Sequence, residues 1–256
     1  PINLRAQFGL DQNQFLFGDC GAFSYVNEEE PTISIEQATA LYDLHSFDFG
    51  ASIDHIPVQS IIIDGVKKTL STEERAERVN LTKLNAEKFL LASKKRNLTF
   101  TPVGTIQALS SDEYALTAKL YHEMGYRYLA LGGLVPLQDN MIEEIVTKVM
   151  NAVSQLNPRP WVHLFGVFRP KLQSKFRQLK VDSFDSATYF RKAWLRSDQN
   201  YLGCNGKWYA ALRVPMTRDA RTRKRLELSG IDISILEQKE ERVLNFLDRF
   251  NNNIIS

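Results

Sequence analysis

Six short apolar runs alternate with amphipathic helical stretches along this chain of 256 residues, and that alternation restricts its possible folds more than any other feature. The runs fall at 15–20, 49–56, 99–107, 128–134, 161–168 and 181–186, with helical periodicity at 34–47, 71–95, 110–124, 139–156 and 171–179. Ser71 followed by Glu74 is a capping-box signal, Gly125 stops the third helix, and Asp139 reads as the N-cap of the fourth. Strands separated by helices predict a parallel sheet, because a parallel neighbour is reached only through a crossover connection. Two architectures satisfy this pattern: a (β/α)8 barrel and a doubly wound sheet.

The strand ends favour the barrel. Asp19, Asp54, Gln107, Gly132 with Gly133, Gly166 and Asp185 place a polar residue or glycine at the C-terminal end of nearly every run. Barrel enzymes draw their sites from many strand ends, whereas a doubly wound sheet gathers its ligand at one switch point. No glycine-rich nucleotide loop of the G-x-G-x-x-G or Walker type follows any strand. The expectation is therefore an α/β chain with a TIM-type (β/α)8 barrel over 1–197. Residues 198–256 follow as an appended element: an irregular loop or small ribbon at 198–216, then helices at 218–228 and 235–250.

Charge is unevenly distributed. Residues 158–225 hold 16 Lys and Arg against 4 Asp and Glu, while the whole chain carries a net +2. A local excess of this kind marks a polyanion-binding face. Trp194, Tyr201, Trp208 and Tyr209 lie among these charges, and aromatic rings stack on unpaired bases. No stretch approaches the ~20 apolar residues that span a bilayer, and no N-terminal segment reads as a signal peptide. With only Cys20 and Cys204, neither a disulfide framework nor a cysteine zinc site is indicated, and a reducing cytoplasm is the expected home.

Taken singly, Asp19, Asp54 and Asp185 read equally well as helix caps or as reacting groups. Together, at three strand ends of one barrel, they would converge on one mouth. Carboxylates that share a site push one another's pKa apart, so one can attack while another handles protons. That division of labour serves glycosidic-bond chemistry.

The ordered series G-D-C-G-A-F (18–23), S-I-D-H-I-P (52–57), P-V-G-T-I-Q (102–107), L-G-G-L (131–134), F-G-V (165–167) and D-S-F-D-S (182–186) resembles the tRNA-guanine transglycosylases, in order and in spacing, over 15–190. The resemblance implies roles. Asp185 would be the nucleophile at the sugar C1′, Asp19 the carboxylate that assists proton transfer, and Asp54 the acceptor for the purine N1 and exocyclic amine. Gln107 and the backbone of Gly132 and Gly133 would hold O6. Phe23 is a candidate to stack on the purine or to pack, and His55 a candidate base contact. The partners implied are a nucleic acid and a free 7-deazaguanine base; no metal or organic cofactor is needed.

The departures narrow the reading. The family usually carries a zinc site of three cysteines and a histidine after the last barrel strand, yet Cys204 stands alone in that region. The F-D-S form and the aromatic-basic stretch after it resemble the DNA-directed branch, the DNA-guanine transglycosylases, which insert a preQ0-like base. A zinc-less tRNA enzyme and a non-catalytic nucleic-acid-binding subunit are the alternatives. Phosphate contacts are expected from Lys171, Lys175, Arg177, Arg191, Lys192, Arg196, Arg221, Arg223, Lys224 and Arg225. By the resemblance, the run ending at Asp19 is the third barrel strand. Further N-terminal residues, or a protein partner, are therefore expected to complete the barrel.

Overall fold

The computed structural model describes residues 4–195, 199–210, 217, 219–252 and 254. The chain divides into two compact units, Pro1–Thr188 and Tyr189–Ser256. In the first, the elements in chain order are α1 (Leu4–Gln7), β1 (Phe17–Gly18), α2 (Ile35–Leu44), β2 (Phe49–Ala51), β3 (Ser60–Ile63), β4 (Val66–Thr69), α3 (Thr72–Arg96), β5 (Thr101–Ile106), α4 (Ser111–Met124), β6 (Tyr128–Leu131), α5 (Asp139–Val153), β7 (Trp161–Leu164), α6 (Gln173–Gln178) and β8 (Ser183–Phe184). At the division between the units comes α7 (Thr188–Leu195), followed by β9 (Tyr201–Leu202), β10 (Trp208–Tyr209), α8 (Ala220–Leu228) and α9 (Ile233–Asn251).

Six strands form one sheet in the order β1-β2-β5-β6-β7-β8, and every pairing is parallel. The sheet is curled into part of a TIM-type barrel. Phe17 on β1 and His163 on β7 lie four strand steps apart, roughly 19 Å across a flat sheet at about 4.8 Å per step. Their rings nevertheless stack with centroids 4.9 Å apart. Phe17, Phe49, Val103, Tyr128, Trp161 and His163 fill the floor of the concave face, leaving a void of only about 30 Å³. The interior is thus a packed core, as in other barrels of this size.

Alternate strand residues face the helices. Gly18, Gly50 and Gly104 take those outward positions, where a Cβ would lie 2.4 Å and 2.5 Å from the Tyr42 ring and 2.7 Å from the Tyr121 ring, respectively. The missing side chains let two helix tyrosines press directly on the sheet. Buried hydroxyls on this face find carbonyl partners: Tyr121 donates to Thr105, and Tyr126 to Ala86. That removes the cost of a buried unpaired polar group. The larger apolar cluster, around Leu129, Leu131, Val146 and Leu164, seals the sheet against α4 and α5.

Helix signals are well matched. Ser71 and Glu74 form the capping box of α3, a second box joins Ser34 and Gln37 on α2, and α4 ends at Gly125 with φ 111°. One N-cap differs from expectation. Gln138, not Asp139, precedes α5, and Asp139 takes the first helical turn, 3.5 Å from Arg169. The strands are shorter than the apolar runs because the chain leaves the ladder to enter the mouth. After Ala51, the Ser52 hydroxyl accepts from Thr105 N at 2.9 Å and replaces a ladder carbonyl. The antiparallel hairpin β3–β4 was not anticipated, although Asp64-Gly65 is a strong two-residue turn signal. Both residues have positive φ, 49° and 80°.

In the second unit, β9 and β10 pair as an antiparallel ribbon with Trp208 opposite Leu202 and Tyr209 opposite Tyr201. Asp219 caps α8 through Thr222 N, and Asp232 caps α9. Among the described residues no helix is long and apolar enough to cross a membrane.

Candidate active site

The site residues of the first unit gather at the C-terminal edge of the curled sheet. Asp19 lies one residue past β1, Asp54 three past β2, Gln107 one past β5, Gly132–Gly133 directly after β6, and Asp185 one past β8. Two clusters result, one around Asp54 and one around Asp185.

Asp54 is 4% exposed. The Cys20 thiol donates to its Oδ1 at 3.0 Å, and the Gln107 amide to its Oδ2 at 2.6 Å. Tyr25 donates to its backbone carbonyl at 3.0 Å. Burial pushes the Asp54 carboxyl up to about 6, with the Cys20 and Gln107 donors pulling the other way. Burial, with the charges of Asp54 and Asp19, also holds the Cys20 thiol well above its usual range. Cys20 therefore serves as a protonated donor and not as a thiolate nucleophile.

Gln107 rests against the glycine pair. A Cβ on Gly132 would lie 2.3 Å from Gln107 Nε2, and one on Gly133 would lie 2.6 Å from Gln107 Oε1. Gly133 also has φ 71°, which side-chain-bearing residues rarely adopt. Tyr114 fixes the pair by donating to the Gly132 carbonyl at 2.7 Å. Beyond Gly133 and Tyr114 a cavity of about 540 Å³ opens between the loops after β2, β5 and β6, walled by Ile56, Pro57, Leu109 and Met141. That volume suits a small organic ligand.

Asp185 is more open, with 57% of its side chain exposed. Its Oδ1 accepts from Gly166 N at 2.7 Å and faces His163 Nε2 at 3.3 Å. Partial burial raises its pKa, but the His163 and Gly166 hydrogen bonds outweigh that and leave it below the usual carboxylate value. Asp19 shows the opposite balance. Enclosure in the mouth raises its pKa although water still reaches it, backbone N–H groups of Gly21 and Cys20 oppose the rise, and the Asp185 charge adds to it. The mouth thus holds one carboxyl kept ionised beside two whose proton affinity is raised.

Two residues expected at the base do not join these clusters directly. His55 is fully buried; its N–H donates to Thr82 Oγ1 at 2.9 Å, and its ring lies beside Arg78 and 6.1 Å from the Tyr25 ring. Burial, then the Arg78 charge, lowers its pKa to about 4. Its imidazole is therefore neutral and enclosed by the surrounding packing. Phe23 sits in the turn of 3-10 helix Ala22–Tyr25 after Asp19 and is 65% exposed. Sequence reasoning missed Cys20 as a donor, Tyr114 as a clamp and His163 as a partner of Asp185. His163 lies in the barrel wall on β7, and its spacing of two from Phe165 and Trp161 was the available signal.

The basic residues divide between the two units. Lys171 and Arg177 are exposed in the first, and Lys175 faces Glu143 at 3.4 Å. In the second, the Lys192 ammonium lies 5.2 Å from the centroids of both Tyr189 and Trp208, while Arg191, Lys224 and Arg225 are exposed. Arg223 pairs with Glu237 at 3.1 Å and Glu227 at 3.5 Å. Arg196 lies outside the described residues, as does the side chain of Arg221.

The donors for the family's zinc do not fit. Cys204 is exposed in the turn between β9 and β10, and the chain's other cysteine and its four histidines all precede residue 164. Asp19, Cys20 and Asp54 bring ligand atoms within 4.8 Å of one another, but the protonated thiol is already spent on Asp54.

Comparison with known proteins extends these observations. Residues 58–206 match the family described as queuine tRNA-ribosyltransferase, a span that contains Gln107, the glycine pair and Asp185. A DNA-guanine transglycosylase of Salmonella montevideo is 32% identical over 256 residues, covering 97% of this chain and 59% of that protein. A tRNA-guanine(15) transglycosylase of Pyrococcus abyssi (strain GE5 / Orsay) is 25% identical over 194 residues, covering 73% of this chain and 30% of that protein. The chain thus spans less than two thirds of the length of either relative.

Proposed function

Because the chain belongs to the queuine tRNA-ribosyltransferase family, we propose that it is a transglycosylase exchanging guanine in a nucleic acid, DNA in the first instance, for a free 7-deazaguanine base of the preQ0 type. The observation that carries this reading is the gathering of Asp19, Asp54 and Asp185 at the C-terminal ends of strands in one sheet, with the proton affinity of Asp185 lowered and those of Asp19 and Asp54 raised. A pair pushed apart in this way assigns nucleophile and acid.

Asp185 attacks the sugar C1′ and breaks the C1′–N9 bond, forming a glycosyl ester. The Asp19 carboxyl gives its proton to the departing guanine. The incoming base then loses its N9 proton to the Asp19 carboxylate, and its N9 attacks C1′ and frees Asp185. Two displacements retain configuration. Guanine N1–H and the exocyclic amine suit Asp54, and in taking that place they release Gln107 Nε2 toward O6 beside the Gly133 N–H. A base without these donors would leave Asp54 buried and unpaired, so adenine is rejected. Phe23, exposed after Asp19, would stack on the flipped base.

The target nucleotide has to leave its stack to reach this enclosed mouth, at a cost of roughly a few kcal/mol. Lys171, Lys175 and Arg177 in the first unit would hold phosphates. So would Arg191, Lys192, Arg196, Arg221, Arg223, Lys224 and Arg225 in the second, with Tyr201 and Tyr209 as stacking surfaces. DNA is favoured by the higher identity to the Salmonella protein; the Pyrococcus protein keeps tRNA as the second reading. Two unpaired thiols, one exposed, suit a reducing cytoplasm.

The test mixes the protein with a labelled 7-deazaguanine base and guanine-containing DNA or tRNA, and counts label retained in polymer. Label in DNA that disappears in Asp185→Ala is the expected result. Label in tRNA alone transfers the proposal to tRNA, and label in neither polymer overturns it.

A further inference from the structure

Behind Asp185 stands a chain of polar groups that the exchange mechanism above does not use. Trp161 Nε1 donates to Ser183 Oγ at 2.8 Å, Ser183 Oγ meets His163 Nδ1 at 2.8 Å, and His163 Nε2 reaches Asp185 Oδ1 at 3.3 Å. We propose that Trp161, Ser183 and His163 form a one-way hydrogen-bond chain that fixes the tautomer of His163, and that His163 is thereby a positioning residue for Asp185. The inference deepens the transglycosylase reading and rests on it for the role of Asp185.

The direction follows from donor inventory. An indole N–H can only donate, so Ser183 Oγ receives that hydrogen bond. The serine's single O–H is then available for Nδ1, and the order is completed from the other end, where the Asp185 carboxylate can only accept and so calls for the proton on Nε2. A neutral imidazole accepting at Nδ1 carries its proton on Nε2, the atom that faces Asp185. Ring rotation would break this order, and the packing opposes it. Phe17 stacks on the imidazole at 4.9 Å with planes 27° apart, and Phe165 meets it edge-on at 4.9 Å. His163 is 7% exposed, so bulk water cannot easily replace Ser183.

The consequence lies in which carboxylate oxygen is left open. His163 and the Gly166 N–H both end on Oδ1, at 3.3 Å and 2.7 Å. Among the described residues no hydrogen bond falls on Oδ2. Oδ1 is the anchored atom and Oδ2 the one presented to C1′. The groups facing Asp185 are His163 on β7, the Gly166 N–H, and the Asp19 carboxyl across the mouth. The first two, with the backbone of Asp185 itself, stabilise its charge. Removing the His163 donor therefore raises the Asp185 pKa and loosens the orientation of Oδ2.

Two substitutions separate donation from packing. His163→Phe keeps a ring against Phe17 and Phe165 but has no N–H, whereas His163→Gln keeps an N–H donor. In the whole chain with ¹⁵N-labelled histidine, NMR should show the Nε2–H tautomer for His163. Ser183→Ala and Trp161→Phe should shift weight to Nδ1–H. With ¹³C-labelled aspartate, the Asp185 titration should move to higher pH in His163→Phe and return toward wild type in His163→Gln. In exchange assays, His163→Phe should lose about 10- to 100-fold in kcat, the range of one hydrogen bond to a charged group. Its KM should stay unchanged and the acid limb of its pH profile should move up. An Nδ1–H ring in the wild type, or a Phe variant with an unmoved Asp185 titration, overturns the chain. The NMR readouts need no exchange, so a chain that behaves as stated in a protein without exchange activity refutes the transglycosylase reading and leaves the positioning assignment standing.

Discussion

In the unit up to Thr188 the carboxyls of the candidate site are held by hydrogen bonds of defined direction, while in the unit from Tyr189 onward the cations and tyrosines of the basic stretch are largely exposed. Asp54 is held by Cys20 and Gln107, and Asp185 by Gly166 and His163, each through bonds of defined direction. In the second unit, Arg191, Lys224 and Arg225 are exposed and Tyr201 and Tyr209 show about half their surface. Low-dielectric surroundings strengthen each interaction of the first kind and make its loss costly. Water and salt weaken each of the second kind. Under the proposed function, the first unit would carry the chemistry sensitive to pH, and the second would add attraction sensitive to ionic strength.

The comparison breaks most sharply if the two central carboxyls prove interchangeable. Asp185→Asn should lower exchange on the order of 10⁴-fold, since it removes the nucleophile itself. Asp54→Asn should cost on the order of 10²-fold, since it removes a hydrogen-bond acceptor and keeps the nucleophile. Single-turnover exchange at saturating base measures both. Equal losses would mean that the assignment of nucleophile and base reader is wrong.

A smaller effect concerns stability. Asp54 has its folded pKa raised from 3.8 to about 6, so ionising it costs folding free energy. The sign follows: the penalty is absent below the unfolded pKa and grows as pH rises through the folded one. Over that window it amounts to about 3 kcal/mol. Asp54→Asn should therefore gain stability relative to wild type between about pH 4 and about pH 8, by up to that amount, in urea denaturation. A difference that does not change with pH would show that the burial of Asp54 is relieved by water.

Much of this organisation is legible in the sequence. Apolar runs and capping residues mark the strands and helices of the barrel because each is a local signal, and Ser71 with Glu74 is a case in point. Polar residues at strand ends mark the mouth. What sequence could not supply is what distant segments do for one another. Cys20 as a donor to Asp54 depends on a contact across 34 positions, and His163 meeting Asp185 spans 22. The hairpin at Asp64-Gly65 had a local signal, a D-G turn, that the helical alternation masked. The N-cap of α5 shifted by one residue because Asp139 serves the first turn and Arg169 equally well.

The smallest expected effects lie in the second unit, and they test whether its cations act one by one. Arg223 is committed to Glu237 and Glu227, whereas no ion pair falls on Arg225 among the described residues. A phosphate has to displace two carboxylates to use Arg223 but meets Arg225 directly. Arg225→Ala should weaken DNA binding a few-fold, equally for all sequences, and reduce the salt slope of log K by about 1. Arg223→Ala should change both less, because part of its charge is already neutralised. Binding isotherms across a salt series read this directly, with exchange of a short, saturating substrate left unchanged in both variants. A sequence-dependent loss for Arg225→Ala would place it at a base edge instead. Equal slopes for the two variants and the wild type would remove α8 from the nucleic-acid face and leave that task to the ribbon carrying Tyr201 and Tyr209.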